Sequence, residues 1–146
     1  MKKLLFLFTF ALILTACGGP KFDQQAAFDE VMDIHDEAMP RIGEVMSLKK
    51  RLEVKAKAES DSTEMVNLYR IAKDLGDAQE GMMVWMRAWA GGFEPHKKGE
   101  TTVEEQKAFF ASEKEKVTKV RDDINESISA AKAKLKWYLM YTLPLS

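Results

Sequence analysis

Phe28-Asp29-Glu30-Val31-Met32-Asp33-Ile34-His35-Asp36-Glu37-Ala38-Met39-Pro40-Arg41-Ile42-Gly43-Glu44-Val45 decides the fold. Phe28, Val31, His35, Ala38, Ile42, Val45 and, farther on, Leu52 recur at alternating steps of three and four. Such steps put side chains on one stripe of an α-helix, in a heptad-like seam. Met32, Met39 and Met46 run beside the seam at strict seven-residue spacing. Pro40 falls inside the pattern, where it removes one backbone hydrogen bond and crowds the preceding turn. The apolar phase continues across it, so the spacing predicts one helix from Asp23 to Ala58, kinked near Met39, with a division there that gives four shorter helices as the main variant.

Outward from that stretch, Ser60-Asp61-Ser62-Thr63 is a turn and helix-start signal, with Asp61 and Glu64 spaced as a capping box. A second helix then carries Met65, Leu68, Ala72, Leu75, Met82, Trp85, Met86 and Trp89 on one face. Gly76 and Gly81 weaken its middle by about 1 kcal/mol each. Gly91-Gly92 is expected to end it, because glycine tolerates the left-handed conformation of a C-terminal cap. Residues 91–101 read as a loop. Thr101 or Thr102 should cap a third helix, with Glu104 or Glu105 answering. Val103, Phe110, Val117, Val120, Ile124, Ile128, Ala131, Leu135 and Tyr138 form its stripe. Long amphipathic helices need packing partners, and short connections make neighbours antiparallel. The fold class is therefore all-α: an up-down-up three-helix bundle over residues 23–146, coiled-coil-like in its periodicity.

Residues 1–16 fall outside that domain. Lys2 and Lys3 precede an apolar run from Leu4 to Leu14 that only Thr9 interrupts. Eleven residues span roughly 16 Å as a helix, against a bilayer core of about 30 Å. A short apolar run behind basic residues reads as a secretory signal. It ends Leu14-Thr15-Ala16-Cys17, and Cys17 is the only cysteine, so no disulfide framework accounts for it. The segment resembles the lipobox of bacterial lipoproteins. That resemblance implies cleavage before Cys17, diacylglycerol on its sulfur and acylation of the new amino terminus, by palmitate for example. Gly rather than Asp at position 18 implies, by the same resemblance, an outer-membrane address facing the periplasm. Residues 17–22 would be the lipidated cysteine and a linker too short to hold the domain far from the bilayer.

The charged share of 31% and apolar share of 46% are those of an ordinary globular domain. Losing Lys2 and Lys3 from 22 basic and 23 acidic side chains leaves a mature net charge of about −3. Neutralising nucleic-acid phosphates needs a basic stripe, and the sequence has none. The mature part holds two histidines, His35 and His96, with no His-Glu-x-x-His pattern and no glycine-rich phosphate loop after a strand. A nucleophile, a base and an orienting group cannot be assembled from these residues. The expectation is a non-enzymatic protein without a cofactor.

Two candidate sites remain. If the first two helices fold back about a turn near residue 60, position i faces roughly position 120 − i. His35 then meets Trp85, and Met32, Met39, Met82 and Met86 gather at the same level. Thioethers and imidazole suit monovalent copper, and an indole face attracts cations. The alternative reading is thus a periplasmic copper(I)-binding protein using these side chains, in residue types similar to copper chaperones of a different fold. The same residues also serve as core, because methionine is an adaptable filler. The second candidate is the run Trp137-Tyr138-Leu139-Met140-Tyr141-Thr142-Leu143-Pro144-Leu145. It is apolar on more than one face: part closes the end of the bundle, and Trp137 and Tyr141 are candidates for a protein-binding patch. At the opposite end Lys97, Lys98 and Phe93 are either a solvated turn or a contact with lipid headgroups.

At His35-Asp36-Glu37-Ala38-Met39-Pro40-Arg41-Ile42 and Met82-Met83-Val84-Trp85-Met86 the chain also resembles small uncharacterised helical lipoproteins, some labelled viral A-type inclusion protein. The resemblance implies the helical fold and the anchor, and brings no functional residues with it.

Overall fold

A computed structural model describes the backbone of residues 21–141 and the side chains of residues 21–138. The leader 1–16, Cys17 and residues 18–20 lie outside the described residues, as does the chain from Thr142 onward. Helices α1 (Gln24–Ala38), α2 (Ile42–Ala58), α3 (Ser62–Lys97) and α4 (Val103–Tyr141) follow one another, with a 3-10 turn at Met39–Arg41 between α1 and α2. That turn absorbs Pro40: Ala38 and Ile42 on either side keep right-handed helical dihedrals, so the rod bends its hydrogen bonding without stopping. The rod α1–α2, then α3, then α4 make an antiparallel three-helix bundle, and no strand occurs among the described residues.

The core follows a seven-residue period in every rod. Val31, Ala38, Val45 and Leu52 are fully buried at steps of seven, straight through the proline. Leu68, Leu75 and Met82 do the same in α3, and Phe110, Val117, Ile124, Ala131 and Tyr138 are buried at the same step in α4. A period of 3.5 residues per turn keeps one seam of each helix against its neighbours over many turns. Each buried Leu, Ile, Val or Met contributes about 1.5–3 kcal/mol relative to leaving it in water.

Charged side chains flank the seam where the α1–α2 rod runs parallel to α4. Lys114 pairs with Glu30 at 2.8 Å, Arg121 with Glu37 at 3.4 Å, and Arg41 donates to Asn125, each at a sequence offset of 84. Exposed pairs of this kind add little stability individually. Their common offset shows that the two rods hold a single register.

The caps explain the boundaries. The Asp23 carboxylate accepts from the Ala26 N–H at 3.1 Å and starts α1. Asp61 accepts from the Glu64 N–H at 2.8 Å, but Glu64 does not reach back. Glu59 instead accepts from the Ser60 and Asp61 N–H groups at 2.9 and 3.0 Å. At α4 the box is complete: Thr102 Oγ1 accepts from the Glu105 N–H, and Glu105 accepts from the Thr102 N–H.

Gly91-Gly92 does not end α3, which runs six residues past Gly91 to Lys97 and carries Pro95 within its last turn. Phe93 and His96, packed against the neighbouring helices, outweigh the weak helix propensity of two glycines. The terminator is Gly99, at φ +71°. Its N–H donates to the His96 carbonyl and the Glu100 N–H to the Pro95 carbonyl, the paired bonds of a Schellman cap. Gly92 instead serves close packing. A Cβ there would lie 2.9 Å from the Phe109 ring, whereas one at Gly91 would meet nothing within 4 Å. Gly92→Ala should therefore cost about 1–3 kcal/mol by overpacking, and Gly91→Ala should add about 0.5–1 kcal/mol of helix stability. Thermal unfolding of the two variants checks this; equal shifts would refute the packing role.

Candidate functional site

α1 and α3 meet at the level the fold-back rule requires. The His35 and Trp85 rings lie 5.8 Å apart, and Phe28 meets Phe93 at 5.1 Å. His35 is held at the edge of the interface, its side chain 14% exposed. The Asp36 carboxylate accepts from its Nδ1 at 2.8 Å, although a neighbouring position would ordinarily point around the helix. Because a carboxylate only accepts, Nδ1 carries a proton, and the neutral ring then has its lone pair on Nε2. Met82 is fully buried, Met39 and Met86 are half-buried against the core, and Met32 is half-buried on α1.

Trp85 is itself fixed from the far side. Its Nε1–H donates to Glu113 at 2.9 Å, and the other oxygen of that carboxylate meets Lys116 at 2.6 Å. Glu113 is 5% exposed and is the one buried carboxylate among the described residues. Sequence reasoning misses it, since an acidic side chain normally lies on the solvated face. The available signal is position: Glu113 stands three residues after Phe110 and four before Val117, which is core spacing.

Toward the start of α1 the interior is aromatic. Trp89 stacks on Phe93 at 5.2 Å and on Phe109 at 5.4 Å, and Phe28 and Phe110 complete the cluster. His96 lies 4.2 Å from Phe109 and shares a hydrogen bond with the Thr101 hydroxyl at 2.9 Å. Phe93 is therefore part of the core packing at this end, and Lys98 pairs with Glu94 at 3.7 Å.

The other end carries a polar knot. Tyr138 is buried and donates to Glu59 at 2.5 Å, while Lys134 pairs with Glu64 at 2.5 Å. Burial, reinforced by the Glu59 and Glu64 carboxylates, pushes the Tyr138 hydroxyl above the usual phenol range. The Tyr138 bond holds Glu59 below the usual carboxylate range, and the Lys134 bond does the same for Glu64. Around this end Val54, Val66, Tyr69 and Trp137 are each at least two-fifths exposed. A cleft of about 460 Å³ is lined by Glu59, Asp61, Thr63, Glu64, Trp137 and Tyr138. The Tyr141 side chain lies outside the described residues, so of the proposed patch only Trp137 is placed, exposed and with the Lys134 ammonium 4.8 Å from its ring centroid.

The structure thus brings His35 and Trp85 together, buries Met82 in the core, and leaves Trp137 at the far end. Among the described residues no three His, Cys, Asp or Glu side chains converge on one point. No known protein family, curated protein or solved structure matches the chain.

Two outcomes follow from these contacts. Glu113→Leu strands the indole N–H in the core and Trp85→Phe leaves one oxygen of Glu113 without its donor, so each should cost about 1–3 kcal/mol. The double variant should lose clearly less than the sum; strict additivity in denaturant unfolding would deny the pair its coupling. The lowered Glu59 and Glu64 contribute stability that is fully present above the ordinary carboxylate value of 4.5 and lost as pH falls through their lowered values. Melting temperature should drop on that acid limb, and Glu59→Gln with Glu64→Gln should flatten it.

Proposed function

We propose that the protein is a lipid-anchored, non-enzymatic component of the bacterial cell envelope that binds another protein through the end of the bundle remote from its anchor. One observation carries the reading: four large exposed apolar side chains, Val54, Val66, Tyr69 and Trp137, cluster in sequence about the α2–α3 turn and the last turns of α4. Apolar exposure gathered at one end marks an interaction surface more often than single scattered residues do. The acidic rim of Glu59, Asp61 and Glu64 beside Trp137 suits a partner presenting a basic side chain next to an apolar one.

Support for the anchor comes from Leu14-Thr15-Ala16-Cys17 together with the start of α1 at Gln24, which leaves only a few residues between lipid and bundle. No helix of the described residues is long and apolar enough to cross a membrane. Multiple acyl chains on Cys17 exceed what stable anchoring requires. Support for a binding rather than a chemical role comes from the buried polar groups, each of which has a structural partner. His96 bonds Thr101, Glu113 bonds Trp85 and Lys116, and Ser127 donates to the Ile124 carbonyl. An outer-membrane location facing the periplasm accords with Gly18.

Cys17→Ser should abolish palmitate labelling and release the protein from the membrane fraction. A photo-crosslinking residue at position 137 should capture a discrete partner, and the same residue at exposed Val84, midway along α3, should not. Labelling that survives Cys17→Ser would refute the anchor. Identical crosslinks from positions 137 and 84, or none from either, would refute the distal binding surface.

A further inference from the structure

The geometry points to a soft monovalent cation site, for copper(I) or its analogue silver(I), between α1 and α3. His35 Nε2, Met39 and Met86 are its ligands, and Trp85 forms its wall. Four observations converge on it, and none depends on the lipid anchor or on a protein partner.

The first is the histidine. Its Nδ1–H donates to the Asp36 carboxylate at 2.8 Å, which leaves Nε2 as the lone-pair nitrogen of the neutral ring, and Nε2 makes no hydrogen bond of its own among the described residues. A carboxylate on one ring nitrogen with the other left basic is the arrangement that orients metal-binding histidines and raises their ligand strength. The ring is neither sealed in the core nor freely solvated.

Facing direction is the second observation. Phe28 and His35, one heptad apart, both touch aromatic rings of α3. Met32 and Met39 stand four residues after each of them, which puts their side chains on the same face of the rod. On α3, Trp85, Trp89 and Phe93 all meet rings of α1; Met82 stands three residues before Trp85 and Met86 three before Trp89, the spacing that puts side chains on one face.

The third is level. His35 with Trp85, and Phe28 with Phe93, fix the antiparallel register of the two helices directly. By that register Met86 lies opposite Ile34, and Met82 opposite Ala38, so both thioethers flank the His35–Met39 turn. Met82 is wholly in the core, whereas Met39 and Met86, like His35, are half-buried.

The fourth is donor chemistry. Thioether sulfur and neutral imidazole are the combination that favours copper(I) over zinc or magnesium. The Trp85 face 5.8 Å from the imidazole adds cation–π attraction, and its indole N–H is already committed to Glu113, which locks the ring. No carboxylate is required in such a set, and the charge of a single cation is balanced by Asp36 through the imidazole.

The test is a silver(I) titration of the full-length protein in detergent micelles, read by tryptophan fluorescence, followed by copper(I) competition with a coloured chelator. One equivalent should bind, with zinc(II) unable to displace it. His35→Gln, and separately Met39→Leu with Met86→Leu, should each weaken binding at least about tenfold. Leucine conserves core volume, so that pair of substitutions keeps the helical circular dichroism while removing two ligands. Met65→Leu, at the remote end of α3, should leave affinity unchanged. Absence of one-equivalent binding, or binding that survives both the histidine and the methionine variants, would overturn the site.

Discussion

The whole bundle depends on a seven-residue apolar period that crosses Pro40 without losing phase. A proline inside a helix normally redirects the chain beyond it, and a change of one residue in phase would turn Val45 and Leu52 out of the core. Here the missing hydrogen bond falls in a single 3-10 turn, and Val31, Ala38, Val45 and Leu52 stay on one line. Because the line holds, the α1–α2 rod can run beside α4 at a constant offset from Glu30 opposite Lys114 to Arg41 opposite Asn125. The same rod can also present His35 to Trp85.

An apolar heptad repeat has a weakness: a slip of one heptad conserves the hydrophobic contacts. The polar groups in this bundle remove that degeneracy. Moving α4 by seven residues would bring Gln106 or Val120 to Trp85 in place of Glu113, leaving the indole N–H poorly matched or unpaired. The same slip would separate Lys134 from Glu64. Two polar anchors far apart along α3, at Glu64 and Trp85, thus accept one register only. Such groups contribute little net energy against apolar packing of the same volume, and their effect is on which arrangement is reached.

Legibility in the sequence divides along the same line between periodic packing and specific contacts. The α1–α2 seam, the α3 and α4 stripes and the pairing of His35 with Trp85 come from spacing plus a short turn at Glu59–Asp61, where little chain is available to alter the register. The α3–α4 connection misleads, because two glycines announce a helix end by propensity alone. Phe93 and His96 then extend the helix through tertiary packing that no local rule contains, and Gly92 is small because Phe109 lies against it. Glu113 is illegible for a related reason: its burial depends on Trp85, 28 residues earlier, supplying the hydrogen bond. Asp36 belongs by position to the solvated face, yet its carboxylate bends back to His35 and sets the tautomer on which the proposed metal chemistry rests.

Height along the bundle separates the two proposed activities. From the C-terminal end of α3 at Lys97, beside the start of α1, Trp85 lies twelve residues away, about 18 Å along the axis. The exposed cluster around Val66 and Trp137 lies at the other extreme of helices 36 and 39 residues long, so roughly 50 Å from the end where α1 begins. With lipid on Cys17 the partner-binding end would stand out from the membrane while the His35 level stays near it. The heptad core between them is held in one register by the Glu64 and Trp85 contacts to α4. Ligand at His35 and partner at Trp137 should accordingly bind independently, because coupling between distant sites requires an element with two states that both sites bias.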